Sequence, residues 1–150
     1  MNVLIDTNIL TGYALPSHPA HSTVISATRS LHSTGGRLHV LAQNLVEFYS
    51  VATRPVDRNG LDMPPERALL HVAEFERVFA LCPETKPTFP LWKQLVLDRQ
   101  CRGKVVHDVR LVAGMMANGL THILTFNSAD FSRFPEITVI DPASVPAPKT

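Results

Sequence analysis

The sequence predicts a three-layer α/β/α sandwich, in which helices cover both faces of a central parallel sheet. Short apolar runs such as Val3-Leu4-Ile5 alternate with longer segments of helical periodicity, and strands separated by helices form parallel sheets through right-handed crossovers. The chain has 150 residues, of which 45% are hydrophobic and 18% are charged. These values are typical of one globular domain. We therefore expect a single domain over residues 1–150, with a Pro-rich tail that frays after about Asp141.

The first half of the chain predicts two strands and three helices. In order, these are a strand over Val3–Asp6, a helix over Ser17–Leu31, a strand over Arg37–Leu41, a helix from Asn44 to Pro55 and a helix from Pro65 to Pro83. The turn at Gly35-Gly36 precedes the second strand. Apolar residues recur at helical spacing in the third helix, as in Ala68, Val72 and Phe75. Prolines end the last two helices because proline lacks a backbone N–H.

The second half of the chain predicts two more helices and two more strands. In order, these are a helix from Leu91 to about Gln100, a helix over Val106–Asn118, a strand over Thr121–Thr125, a loop with a short helical turn over 126–134 and a strand over Ile137–Ile140. Asp108, Leu111 and Met115 share one face of the second helix. Asn118-Gly119 then provides a left-handed stop.

Four acidic residues lie beside predicted strands or within apolar helical segments: Asp6, Glu47, Asp108 and Asp130. Because parallel strands end at one edge of a sheet, we expect these carboxylates to lie close together there. An all-oxygen set without a His or Cys cluster is typical of Mg²⁺ or Mn²⁺. Such a site suits phosphodiester hydrolysis by a metal-activated water.

Each acid also has a structural interpretation. Asp108 fits a first-turn carboxylate that interacts with the helix dipole, Asp130 fits a turn or cap residue, and Asp6 fits a cap after the first strand. Glu47 has the weakest structural explanation, because Leu45-Val46 and Phe48-Tyr49 flank it and a buried charge is costly without a partner.

Basic and aromatic residues near Asp108 suggest a contact surface for nucleic acid. The formal net charge is only +1, but a local patch is averaged away in that total. Arg102, Lys104 and Arg110, together with Arg99, surround Asp108 in the sequence, where they would meet a phosphate backbone or form a solvated helix face. His107 could orient a water or a phosphate, or simply begin a helix. Phe89 and Trp92 could stack on bases, although core packing is the more common role.

Cysteine usage and the start of the chain indicate a cytoplasmic protein. Cys82 and Cys101 are too few for a disulfide framework. The chain begins with Met1-Asn2 and a predicted strand, without the features of a signal peptide. No window approaches the roughly 20 apolar residues of a membrane span.

Four blocks in order make the sequence resemble the PIN-domain ribonucleases, most closely the toxin half of VapBC toxin–antitoxin pairs. The blocks are Val3-Leu4-Ile5-Asp6-Thr7-Asn8-Ile9-Leu10, Asn44-Leu45-Val46-Glu47-Phe48-Tyr49, His107-Asp108 entering Val109 to Ala117, and Leu124-Thr125-Phe126-Asn127-Ser128-Ala129-Asp130-Phe131. The resemblance covers nearly the whole chain. It implies a Mg²⁺- or Mn²⁺-dependent endoribonuclease that acts on single-stranded regions of RNA. It also implies a homodimer that a VapB-like antitoxin protein inhibits.

The resemblance assigns roles to individual residues. Asp6, Glu47 and Asp108 match the three principal acids of the family motif, which bind metal and support catalysis. The fourth position departs from the pattern, because Asn127 stands where many relatives have an acid and Asp130 lies three residues later. Either residue is a candidate for the fourth ligand. Three further residues resemble the family's polar support around the metal and substrate, namely Thr7, Asn8 and Thr125.

Competing functions fit the sequence less well. Phosphoryl transfer through an aspartyl intermediate at Asp6 predicts a second acid two residues later, where this chain has Asn8. A signal receiver needs paired early acids and a lysine near the last strands, and neither stands out. A housekeeping nuclease or a degenerate PIN module that binds RNA without cutting it remains the alternative. A degenerate module is expected to lose acids that this chain retains.

Overall fold

A five-stranded, all-parallel sheet forms the centre of the molecule in the computed structural model, which describes residues 1–149. The strands are β1 (Asn2–Ile5), β2 (Arg37–Leu41), β3 (Ala80–Cys82), β4 (His122–Leu124) and β5 (Thr138–Ile140). Their order across the sheet is β3-β2-β1-β4-β5. The helices are α1 (Thr7–Ala14), α2 (His21–Ser33), α3 (Ala42–Thr53), α4 (Pro65–Val78), α5 (Thr88–Asp98), α6 (Val105–Ala117) and α7 (Ser128–Phe131).

Helices cover both faces of the sheet, which confirms the predicted three-layer sandwich. Side chains of the central strand β1 alternate between the faces: Val3 and Ile5 belong to one buried cluster with Phe48 of α3 and Phe75 of α4. Leu4 belongs to a second cluster, with side chains of α5, α6 and α7. The strand order places β1 and β4 side by side, with Leu4 opposite Ile123. Their carboxyl ends therefore open at the same edge.

Two elements differ from the sequence prediction. The segment Thr7–Ala14 forms α1, which was not predicted, and Asp6 caps it by accepting a hydrogen bond from the Thr7 N–H at 2.7 Å. The predicted helix from Pro65 to Pro83 is too long, because it ends at Val78 and Ala80–Cys82 form the edge strand β3. Phe79 kept the helical spacing of Phe75, and only pairing with β2 makes the following residues a strand.

Most other boundaries agree with the predictions to within a few residues. The strand Arg37–Leu41 is confirmed, and α6 lies within one residue of the predicted helix at each end. The predicted helix from Ser17 starts later, at His21, after Pro19.

A frayed tail was expected after about Asp141. Instead, a single 3₁₀ turn over Pro142–Ser144 follows β5 and contacts α2. Val145 packs against the core cluster that contains Val3 and Phe48. Over residues 1–149, no helix has both the length and the apolar character that crossing a membrane requires.

Candidate active site

An open cavity of about 420 Å³ lies at the carboxyl end of β1. Three of the four predicted acids, Asp6, Glu47 and Asp108, line it. They come from three separate elements: Asp6 follows β1, Glu47 lies on α3 and Asp108 lies in the first turn of α6. Residues 102 positions apart in the chain therefore contribute to one site. Thr7, Asn8 and Asn127 add polar groups to its wall.

Asp6 is the most enclosed of these acids, with only 5% of its surface exposed. Its Oδ2 accepts a hydrogen bond of 2.7 Å from the Thr125 hydroxyl, and its Oδ1 accepts one from the Thr7 N–H. Burial raises the pKa of Asp6 to about 6, with smaller contributions from the charges of Glu47 and Asp108. The two hydrogen bonds act in the opposite direction. The hydrogen bonds therefore hold the Asp6 carboxylate in place, but they offset only part of the free-energy cost of burying its charge.

Glu47 is held by side chains of two helices. Its Oε2 accepts a hydrogen bond of 2.9 Å from the Thr7 hydroxyl. Its Oε1 accepts one of 2.8 Å from Gln43, one helical turn earlier on α3. The glutamate was expected to need a partner because its neighbours in the sequence are apolar. The structure provides the neutral donors Thr7 and Gln43, so Glu47 is positioned by hydrogen bonds and not by an ion pair.

Asp108 is half-buried at the start of α6. Burial raises its pKa, and the negative charges of Asp130 and Glu47 raise it further. Arg133 and His107 lower it. Asp108 was predicted either to interact with the helix dipole or to belong to the site. Its position in the first turn of α6 allows both, because the same residue lines the cavity.

The fourth acid lies outside the cavity wall. Asp130 is exposed on α7, although its negative charge is close enough to raise the pKa of Asp108. Asn127 lines the cavity instead, and its N–H donates to the Thr125 hydroxyl at 3.0 Å. The structure thus separates the two candidates for the fourth ligand, with Asn127 near Asp6 and Asp130 near Asp108.

A network of polar side chains connects β1 to β4 beneath the acids. Asn8 Nδ2 donates to the Thr125 hydroxyl at 3.3 Å, and Asn8 Oδ1 accepts from the Phe126 N–H at the same distance. Thr125 itself is fully buried. The predicted supporting residues Thr7, Asn8 and Thr125 are therefore brought together, and each contacts an acid or another member of the network.

The predicted basic cluster is divided by the structure. Arg102 and Lys104 are exposed in the turn before α6, and His107 is exposed in its first turn. Arg110 instead donates to Gln43 at 2.7 Å and forms a salt bridge with Glu84 at 2.9 Å. Arg99 pairs with Glu136 at the far end of α5. Arg110 therefore supports the site through Gln43, in addition to any contact with a phosphate.

Two residues near the site were missed by the sequence analysis. Gln43 donates to Glu47 and to the His107 carbonyl, at 2.8 and 3.0 Å, and so joins α3 to α6. Its position four residues before Glu47 was the available signal. The second residue is Arg133, whose positive charge lowers the pKa of Asp108. No sequence pattern indicated this role, because only the path of the chain after α7 brings Arg133 close to Asp108.

The residues around the cavity fit a divalent cation. No three His, Cys, Asp or Glu side chains within residues 1–149 form a preformed metal cluster. The donors are nevertheless oxygens of carboxylates, hydroxyls and an amide, the type that Mg²⁺ and Mn²⁺ prefer. Mutual repulsion contributes to the raised pKa values of Asp6 and Asp108. A bound cation would offset that repulsion.

The sequence matches the family described as PIN domain over residues 3–137. Solved structures with the same fold include VapBC2 from Rickettsia felis bound to a promoter DNA fragment. The TM-score of that match is 0.69 at 14% sequence identity, and the match covers 93% of this chain and 98% of that chain. VapBC-1 from nontypeable Haemophilus influenzae also has a TM-score of 0.69, with 13% identity and coverage of 95% and 98%.

A third similar structure is VapC20 from Mycobacterium tuberculosis, a toxin that cleaves the sarcin-ricin loop. Its TM-score is 0.60, with 15% identity and coverage of 88% of this chain and 95% of that chain. At such identities these structures show that the fold is shared. No curated protein matches this sequence.

Proposed function

The chain belongs to the PIN domain family, and from this membership we propose that it is a metal-dependent endoribonuclease that cleaves single-stranded regions of RNA. We further propose that it acts in the cytoplasm as a homodimeric toxin, and that a small VapB-like antitoxin protein inhibits it. The observation that carries the proposal is the convergence of Asp6, Glu47 and Asp108 on one open cavity.

The acids of this cavity would hold Mg²⁺ or Mn²⁺. Asp6, Glu47 and Asp108 are the principal ligands in this proposal, with Asn127 and Asp130 as candidates for a fourth position. When bound, the cation supplies a Lewis acid for a phosphate oxygen and lowers the pKa of a water molecule. No covalent nucleophile from the protein is required.

The side chains around the acids have defined tasks in this mechanism. Thr125 and Thr7 orient Asp6 and Glu47 by hydrogen bonds of 2.7 and 2.9 Å. Gln43 fixes Glu47 relative to the start of α6, where His107 and Asp108 lie. The exposed cations Arg102 and Lys104 are placed to attract the phosphate backbone. Preorganised groups of this kind avoid rearrangement at the moment of reaction.

The toxin assignment has a separate basis. Similar structures include VapBC complexes and one toxin that cleaves the sarcin-ricin loop. The retained acids argue against a degenerate module that binds RNA without cutting it. A housekeeping nuclease would share the same site, so the biological context distinguishes it from a toxin.

RNA cleavage by the purified full chain tests the catalytic proposal. We expect cleavage of single-stranded RNA with Mg²⁺ or Mn²⁺, and loss of cleavage in excess EDTA. Asp108→Asn should be inactive, while Asp57→Asn, a change at an exposed acid in the turn after α3, should retain activity. Undiminished cleavage in EDTA would rule out the metal mechanism.

Expression in bacteria tests the toxin proposal. The chain alone should slow growth, and Asp6→Asn should relieve the effect at a matched soluble level. A neighbouring gene for a small DNA-binding protein, whose co-expression restores growth, would identify the antitoxin. Equal toxicity of the Asp6→Asn protein would count against RNA cleavage as the cause.

A further inference from the structure

A second cavity lies beside the catalytic one, between α5 and the start of α6. We propose that it is a nucleobase subsite, in which one base of the single-stranded RNA next to the cleaved phosphate stacks on Phe89 and Trp92. This inference rests on the proposed nuclease function and adds a specificity site to it.

Two aromatic rings form the apolar wall of this cavity. Phe89 and Trp92 lie in the first turns of α5 with ring centroids 5.8 Å apart and planes only 12° apart. Trp92 is anchored, because its Nε1–H donates to the Val106 carbonyl at 2.9 Å. Phe89 is 63% exposed. A large exposed aromatic side chain next to a fixed one is the arrangement found in platforms for single-stranded bases.

The cavity has the size of a ligand site. Its volume is about 370 Å³, within the usual range of about 300–1,000 Å³ for such pockets. Polar groups on the remaining walls come from Glu84, Thr85, Thr88, His107 and Arg110. A lining that combines a planar apolar wall with hydrogen-bonding groups suits a base, which has a flat π-face and polar edges.

This cavity and the catalytic cavity are lined by consecutive residues of α6. His107 lines the base cavity, and the next residue, Asp108, lines the catalytic cavity. Arg110 lines the base cavity and donates to Gln43, which in turn binds Glu47. In the proposed complex, a strand whose phosphate lies at the acids would extend along the start of α6 and place a neighbouring base at Phe89 and Trp92.

Charge favours RNA over an apolar peptide as the occupant. Lys93 places its ammonium group over the Phe89 ring, 5.2 Å from the ring centre, which puts a cation that can attract a phosphate backbone next to the aromatic pair. Glu84, the acid in the wall, is paired with Arg110. Aromatic faces with a cation beside them match the alternation of bases and phosphates along a single strand.

Trp92 provides a direct test, because it is the only tryptophan of the 150-residue chain. The full-length Asp108→Asn protein in Mg²⁺ is titrated with a single-stranded RNA of about ten nucleotides. The matched probe is an abasic oligomer with the same number of phosphates. We expect saturable quenching of Trp92 fluorescence by the RNA and little change with the abasic oligomer.

Substitution of Phe89 should weaken that binding without affecting the fold. Because Phe89 is exposed, Phe89→Leu should keep the parent circular dichroism spectrum yet lower the affinity for RNA by about 5- to 150-fold, the value of one stacked base. Phe89→Tyr should restore binding. Leu97→Ala is the matched control, since Leu97 is a similarly exposed apolar residue on the same helix.

The outcomes separate this inference from the proposed function. Unchanged RNA affinity of Phe89→Leu, or equal quenching by the abasic oligomer, would overturn the base subsite while RNA cleavage by the parent protein still supports the nuclease. If the cavity instead receives a protein segment, Phe89→Leu leaves RNA binding intact, which also overturns the inference. A parent protein that neither cuts nor binds RNA would refute both.

Discussion

Thr125 and Asp6 are 119 residues apart in the chain and share a buried hydrogen bond of 2.7 Å, in which the hydroxyl donates to Oδ2. They meet because β1 and β4 are adjacent in the sheet and both end at the cavity. This bond lowers the pKa of Asp6 against the larger effect of burial. The bond therefore supports the charged form of Asp6, the form that the proposed metal site requires.

Thr125→Val should destabilise the metal-free protein by about 1–3 kcal/mol at about pH 8, because it removes the closest donor to the buried Asp6 Oδ2 and leaves the longer hydrogen bond of 3.5 Å from Asn8 Nδ2. The loss should be smaller well below pH 3.8, where Asp6 is protonated in both the folded and unfolded states. Urea denaturation in EDTA at the two pH values measures the difference. Thr125→Ser, which keeps the hydroxyl, is the control, and an equal loss at both pH values would contradict the prediction.

The stability of the metal-free protein should fall as pH rises from 3.8 to about 6. The folded pKa of Asp6 is raised to about 6 from its usual 3.8, so the folded state binds the proton more tightly and ionisation costs roughly 3 kcal/mol. Asp6→Asn should reduce this decline by the contribution of Asp6, leaving that of Asp108, and should be at least as stable as the parent above pH 6. Thermal melting in EDTA over this range provides the measurement, and Mg²⁺ should raise the melting temperature of the parent more than that of Asp6→Asn.

Asp130→Asn should cause the mildest catalytic loss among the four acids. Asp130 is exposed on α7, and Asn127 occupies the cavity wall in its place. Because the charge of Asp130 raises the pKa of Asp108, the substitution should also lower that pKa. NMR titration of the Asp108 carboxyl in metal-free protein measures this shift, with Glu136→Gln as a control away from the cavity. Loss of activity as complete as in Asp108→Asn would instead make Asp130 an indispensable ligand.

Gln43→Ala should lower kcat and weaken Mn²⁺ binding while the fold is retained. The Gln43 amide donates to Glu47 and to the His107 carbonyl and accepts from Arg110. Without it, the position of Glu47 is no longer fixed relative to Asp108 at the start of α6. Titration with Mn²⁺ and steady-state cleavage measure the two effects. Gln94→Ala, at an exposed glutamine of α5, is the control. Normal metal affinity with reduced melting temperature would show that Gln43 only joins α3 to α6.

Arg102→Ala combined with Lys104→Ala should weaken RNA binding and flatten its salt dependence. Each phosphate contact that is lost changes the slope of log K against log salt by about 0.7 for a single strand. RNA binding measured at several salt concentrations tests this prediction. The control is the double variant Arg67→Ala and Arg77→Ala, which removes two exposed arginines of α4. If the first double variant matches the parent in affinity and slope, these cations form only a solvated face.

The sequence by itself determined the fold class and identified the acids. Apolar runs and helical periodicity are local properties, and they predicted four of the five strands and the approximate course of α2 to α6. Asp6, Glu47 and Asp108 stood out because each lies in an apolar context where an isolated charge is costly. The structure brings these three to one cavity, while their roles in metal binding and cleavage stay proposals.

Only the tertiary structure decided the features that depend on contacts between distant segments. Ala80–Cys82 form a strand because they pair with β2, which overrides the helical spacing of Phe75 and Phe79. Asp130 lies outside the cavity wall and Arg110 is paired with Glu84, although both were predicted to serve the site. Spacing in the sequence reports which face of an element a residue occupies. Which partner that face meets is set by the order of strands in the sheet and the packing of helices upon it.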